Sequence, residues 1–178
     1  MQEKIVDLII KNCDVFNENN TKKLYKNCKF YSIIFNSCDF DNCIIINCKF
    51  EDCKFINCSF KYAQIIDSIL NGCFFIICDL TYFFTLNCLT KLTIFKDCLA
   101  INSKFIFDNN KEKQPITFLR TNAIGSQIQV VSLVEMCLDA CILTGASISL
   151  ITPSTNNGGF YSYLPTKQIK NVQMKNCI

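Results

Sequence analysis

Cysteine recurs at every fifth residue through the middle of this chain: Cys38, Cys43, Cys48, Cys53 and Cys58. Two places after each stands a large apolar residue, Phe40, Ile45, Phe50, Phe55 or Phe60. All eleven cysteines from Cys13 to Cys98 keep this register, at numbers ending in 3 or 8. A period of five matches neither the ~3.6-residue turn of an α-helix nor the two-residue alternation of a long strand. It suits a short extended segment with inward side chains at i and i+2, followed by a turn. The residue before the small position is a turn former at Asn27, Asn42, Asn47, Asp52, Asn57, Asp67, Asn87, Asp97 and Asn102. Each pentad is one side of a square coil.

Counting in fives divides the chain. Residues 28–107 are a first repeat block, and residues 1–27 precede it as an N-terminal cap, atypical as the ends of stacked repeats usually are. Residues 108–115, Asp-Asn-Asn-Lys-Glu-Lys-Gln-Pro, interrupt the pattern as a solvated loop. Residues 116–150 are a second block with its register shifted, its large positions including Phe118, Ile128, Leu133, Leu138 and Ile148. Residues 151–178 are a C-terminal cap or tail, with a loop at 153–159 and a candidate closing strand from Gln168.

This succession of units resembles the pentapeptide-repeat family, with Cys141-Ile-Leu-Thr-Gly145 nearest the family's small–Asp/Asn–Leu/Phe–polar–Gly pattern. The resemblance implies an all-β fold, a right-handed quadrilateral β-helix with four pentads per coil. Roughly six coils with irregular caps are then expected. Residues twenty apart stack, so Phe35, Phe55, Phe75 and Phe95 form one ladder and Cys38, Cys58, Cys78 and Cys98 another. Stacked parallel side chains point the same way, not at each other, so the cysteine ladder is read as packing.

Fourteen cysteines invite comparison with a secreted disulfide scaffold. The start, Met-Gln-Glu-Lys-Ile-Val-Asp, lacks the basic and apolar regions of a secretory signal, and the cysteines sit where a core wants a small hydrophobe. Reduced thiols and a cytoplasmic location are therefore expected. Residues 68–90 are apolar enough to suggest a membrane span, but Asn71, Asp79 and Asn87 interrupt them and the pentad runs straight through. No transmembrane segment is expected, and only peripheral membrane contact stays open.

No histidine is present, so neither a Ser/His nor a Cys/His pair can be drawn. Cys137 and Cys141 and the other cysteines lack the Cys-x2-Cys spacing of structural zinc, and no phosphate-binding glycine loop occurs. No catalytic, metal or cofactor residue is assigned. The outward positions say more. Ile46, Ile66, Leu86 and Ile106 follow the inward Ile45, Ile65, Thr85 and Phe105, flanked by Ile44 and Phe84. The next face is read as adding Ile56, Phe74, Ile76 and Ile94. The face of Phe40, Phe60 and Leu80 carries Asp39, Asp41, Ser59, Lys61, Asp79 and Thr81 instead. A one-sided apolar exterior marks either an interface or a surface covered by the chain's own ends.

The expected function is a non-enzymatic scaffold that binds a protein partner, or itself, through Ile44, Ile46, Ile66, Phe84, Leu86 and Ile106. The resemblance implies two alternatives: a DNA-mimicking modulator of DNA gyrase or topoisomerase, and a bacterial effector delivered to a host cell. DNA mimicry needs an extended acidic face. Between Lys29 and Lys104 seven lysines balance seven acids, and the net charge is +3. Direct nucleic-acid binding is not expected.

Overall fold

The computed structural model describes residues 2–107, 116–130, 136–152, 164–165 and 172–178. They form an all-β, parallel-strand solenoid of about seven turns. Three sides of the tube are strands. The first stacks Lys4–Val6, Leu24–Lys26, Ile44–Ile46, Gln64–Ile66, the start of Phe84–Lys91, Lys104–Phe107, Gln127–Val130 and Ser147–Thr152. The second stacks Ile9–Lys11, Lys29–Tyr31, Lys49–Glu51, Ile69–Asn71 and the end of Phe84–Lys91. The third runs from Asp14–Phe16 through Ile34–Asn36, Lys54–Ile56, Phe74–Ile76, Thr93–Lys96, Ile116–Leu119 and Met136–Asp139 to Val172–Lys175. The fourth is a column of single bridges: Asn19, Asp39, Ser59, Asp79, Leu99, Asn122 and Ile142.

The corners explain the Asn and Asp. The residue before each small position takes a left-handed backbone, as at Asn42 (φ 58°), Asn47 (φ 51°) and Asp52 (φ 53°). Left-handed geometry costs an ordinary L-residue roughly 1–2 kcal/mol, and Asn and Asp tolerate it best after Gly. Their side chains also link coils, since Asn47 Nδ2 donates to Asn27 Oδ1 at 2.9 Å and Asn27 Nδ2 to Asp7 Oδ1 at 3.1 Å. At Gly72 (φ 62°) a Cβ would meet Asp52 Oδ1 at 2.3 Å. The corner after the bridge side is a hydrogen-bonded turn: Cys43 N donates to Phe40 O at 3.1 Å and Ala63 N to Phe60 O at 3.0 Å.

Inside, the expected ladders are present. Phe35 stacks on Phe55 at 4.9 Å, Phe55 on Phe75 at 4.8 Å, and Phe75 on Phe95 at 4.9 Å. These separations match the spacing of hydrogen-bonded strands, about 4.8 Å, so one repeat sets both. Neighbouring sides meet edge to face, as Phe55 does with Phe60 at 5.3 Å, the geometry aromatic quadrupoles favour.

The cysteines lie beside the rings as small apolar fillers that also donate. Cys53 Sγ donates to Phe30 O at 3.5 Å and Cys78 Sγ to Phe55 O at 3.3 Å, each in the coil beneath. Thr93 and Thr121 fill the same position with hydroxyls donating to Leu70 O at 2.8 Å and Phe95 O at 3.1 Å. The repeat therefore accepts Cys, Ser or Thr there. Burial pushes the thiols of Cys53 and Cys48 up to about 11 and about 12.

Three features depart from the sequence reading. Residues 4–16, expected in an atypical cap, already supply three strands in register with the next coil, so the turns number about seven, not six. Phe107 is buried in register with Cys88 because the ladder slips between Thr85 and Cys88, and no count of fives foresees it. Past the interruption Phe118 stacks on Phe95 at 4.8 Å although twenty-three residues separate them, so the shift is absorbed before side three resumes. The expected closing strand exists as Val172–Lys175, paired parallel with Met136–Asp139. The expected loops at 108–115 and 153–159, and the inward position Leu133, lie outside the described residues.

Two outcomes follow for stability. Phe55→Ala, which removes a ring packed above, below and on both sides, is expected to cost about 3–5 kcal/mol in urea unfolding. Ile77, a β-branched residue held at φ 55° with its side chain exposed, is a strained corner. Ile77→Asn is expected to raise stability by about 1 kcal/mol in the same assay.

Candidate functional site

The outer surface is built by the same register as the core. On side one Ile44 pairs with Gln64 and Gln64 with Phe84, while Ile46 aligns with Ile66 and Ile66 with Leu86. Stacking half-buries Ile44, Ile46, Ile66, Phe84 and Leu86 against their own neighbours; the strip is unbroken along Ile46, Ile66 and Leu86, with Gln64 between Ile44 and Phe84. Ile106 differs. It is only 2% exposed, and with Phe84 and Leu86 it forms an apolar cluster separate from the core. The strip therefore offers contact through its lower members, and Ile106 anchors its upper end. Gln129, the strand partner of Ile106, has a buried Oε1 with no hydrogen-bond partner.

The second apolar group is placed differently from the reading above. Ile56, Phe74, Ile76 and Ile94 lie on side three, across the tube, because the strands Lys49–Glu51 and Ile69–Asn71 intervene. All four are half-buried. The two strips thus lie on opposed sides, and the sides between them carry charges together with exposed Leu89, Leu99 and Ile142.

Some charges on the intervening sides and corners are paired with one another. On the bridge side Asp41 Oδ1 accepts from Ser59 Oγ at 2.5 Å and Lys61 N at 2.8 Å. Lys61 Nζ lies 3.1 Å from Asp79 Oδ2. Burial opposes ionisation of Asp79, but donation from Thr81 and Lys61 outweighs it and lowers the carboxyl. On side two Lys49 meets Glu51 at 2.8 Å. At a corner Arg120 grips Asp97 with two bonds, Nε to Oδ1 at 2.6 Å and a terminal nitrogen to Oδ2 at 2.7 Å. Another corner carries the exposed, stacked rings of Tyr62 and Tyr82 at 4.9 Å.

One concavity escaped the sequence reading. At the end of the tube formed by the first coil, a cavity of about 260 Å³ opens onto Phe30, Phe35, Phe40 and Ile45. Ile5, Ile10 and Val15 line its walls, and Glu18, Asn20, Lys23 and Tyr25 bring polar groups to it. Asn20 Oδ1 accepts from Tyr25 Oη at 2.8 Å. Counting backwards in fives from Tyr25 would have found Asn20, Val15, Ile10 and Ile5 as inward positions. Among the described residues no group of three or more His, Cys, Asp or Glu side chains is placed to hold a metal. No helix among them is long and apolar enough to cross a membrane.

A four-cornered parallel solenoid whose inward residues repeat in fives is the architecture of one class of repeat protein. Residues 33–72 match the family model described as pentapeptide repeats, in eight copies, and this stretch of the chain is built of pentapeptide repeats. Among solved structures it is similar to full-length QnrB1, a plasmid-mediated fluoroquinolone resistance protein: 12% identity, 96% of this chain and 92% of that one, TM-score 0.40. It is also similar to HetL of the cyanobacterium Nostoc, a pentapeptide-repeat protein involved in heterocyst differentiation regulation: 9% identity, 85% and 90% of the chains, TM-score 0.31. A third likeness is Rfr23 of the cyanobacterium Cyanothece: 11% identity, 98% and 90%, TM-score 0.23. No curated protein matches the sequence.

The Arg120–Asp97 pair gives a pH test. Donation from Arg120 holds the Asp97 carboxyl below its ordinary value. A depressed folded-state value contributes stability above the unfolded value, near ~3.9, which is lost as pH falls through the folded value. Arg120→Ala is expected to return the Asp97 titration, followed by carboxyl NMR, upward to the ordinary range and to abolish that acid-side loss.

Proposed function

We propose that this chain is a non-enzymatic scaffold whose rigid tube presents its side-one apolar strip to a protein partner. The observation that supports this most is the strip Ile44, Ile46, Ile66, Phe84 and Leu86, aligned by strand register over a stacked aromatic core. A contiguous apolar strip beside faces that carry ion pairs such as Lys49–Glu51 and Lys61–Asp79 is where desolvation favours association. The strip needs no rearrangement to bind, so little ordering entropy opposes docking. Fourteen free thiols suit a reducing compartment such as the cytoplasm.

Modulation of gyrase by DNA mimicry is the weaker reading. It calls for an unneutralised acidic face, whereas Glu51, Asp79 and Asp97 are each matched by Lys49, Lys61 or Arg120.

The test compares the wild-type chain with Ile66→Lys as bait for partner capture, with sedimentation to detect self-association. The lysine is expected to change folding stability by about 1 kcal/mol or less, since its stem covers the strip and its ammonium reaches water. Captured protein, or the wild-type dimer, should fall at least tenfold with Ile66→Lys. Equal capture by the two chains, or unfolding of the variant, would remove the strip from the mechanism. Inhibition of gyrase supercoiling at near-equimolar protein, unchanged by Ile66→Lys, would replace it with the second reading.

A further inference from the structure

The three cysteines that are not buried are Cys13, Cys137 and Cys177. Of these Cys177 alone stacks on another cysteine. Strand pairing aligns Leu138 with Met174 and Asp139 with Lys175. The next residues, Ala140 and Asn176, both turn the corner with φ 51°. The two chains leave it in step, because Ile178 N donates to Cys141 O at 2.9 Å and Leu143 N to Ile178 O at 2.6 Å. Cys177 therefore sits one strand spacing above Cys141. That spacing, about 4.8 Å, lies within the Cα separations that disulfides span, about 4.4–6.8 Å.

We propose that Cys141 and Cys177 are an oxidation site, a thiol pair that closes into a disulfide and ties the strand Val172–Lys175 to the coil beneath it. Ladder thiols point the same way, so closing any pair requires one side chain to turn toward the other; the interior ladders share the spacing but not the access. Cys38, Cys58, Cys78 and Cys98 are buried, and each but the lowest donates its thiol to a carbonyl of a coil that is itself packed on both sides. At the end pair only one partner is enclosed. Cys141 is buried, donating to Phe118 O at 3.3 Å, while Cys177 is partly exposed and donates to Leu138 O at 3.6 Å.

The oxidant is a low-molecular-weight disulfide such as oxidised glutathione. The Cys177 thiolate attacks one of its sulfurs and the S–S bond breaks. One thiolate leaves and takes up the proton lost by Cys177. Cys141 then attacks Cys177 Sγ, displacing the second thiolate, which takes up the proton from Cys141. Two protein thiols are oxidised and one small disulfide is reduced to two thiols. Burial raises the Cys141 thiol, so the second step should speed up as pH rises through the alkaline range.

The test treats the intact protein with oxidised glutathione, alkylates remaining thiols and maps peptides without reduction. The expected product is a single linkage, Cys141 to Cys177, with the interior cysteines alkylated only after unfolding. After a proteolytic cut anywhere between the two, the carboxy-terminal fragment should stay attached on a non-reducing denaturing gel and leave on reduction. Cys141→Ser should stop at glutathione on Cys177. A hydroxyl is tolerated at this corner, as Thr121 directly beneath Cys141 shows by donating to Phe95 O at 3.1 Å. Cys177→Ser should yield neither product. A wild-type chain that stops at the mixed disulfide, or that joins Cys177 to Cys137 or to a second molecule, would overturn the proposal.

Discussion

The spacing of hydrogen-bonded parallel strands governs this molecule. Once backbone amides pair across coils, as when Lys49 N donates to Cys28 O at 2.9 Å, each side chain has its counterpart a fixed step above and below. Phenyl rings gain because the step equals a favourable stacking distance. Inward thiols gain where they find a carbonyl of the coil beneath, as Cys53 does at Phe30 O. Exterior residues inherit the same alignment, which is why a sequence repeat turns into continuous strips of one chemistry. Core and surface are thus two readings of one register.

That dependence explains what could be read from residues alone. Inward positions such as Phe55 and Cys58 were legible because period and chemistry agree at each unit. The left-handed corners were legible where Asn or Asp marks them, and obscure at Tyr62, Ile77 and Leu92, where stacking neighbours impose the conformation on unsuited residues. Phe107 was illegible because a slip in pairing lies in relations between strands, not in spacing along one. For the candidate site, the side-one strip followed directly from the count. The separation of the two strips did not, because it requires keeping all four sides in mind, and the burial of Ile106 depends on packing outside the tube that no inward count describes.

The polar sides matter as much as the apolar strips. Lys49 with Glu51, Lys61 with Asp79 and Arg120 with Asp97 spend their charge on one another, so these groups add little to any long-range field. A partner meeting such a surface is selected by shape and desolvation more than by long-range attraction. The two ends differ again: the first coil opens a cavity lined by Ile5, Ile10 and Val15, whereas at the other end a short strand lies over Met136–Asp139.

The stacking of Phe118 on Phe95 has a consequence for how such a chain can change in length. Between these rings the chain carries three residues more than a regular coil, yet their separation matches the other rungs. Extra residues between side one and side three are therefore cheap, for they lengthen the path without moving the next rung. An indel inside a side is different, since one residue would exchange inward for outward chemistry in every later pentad until a corner absorbed the error. Coils of this kind can thus vary between strands while keeping strict arithmetic along them, and the stretch between Phe107 and Ile116 is the place where new sequence can be inserted without retuning the core.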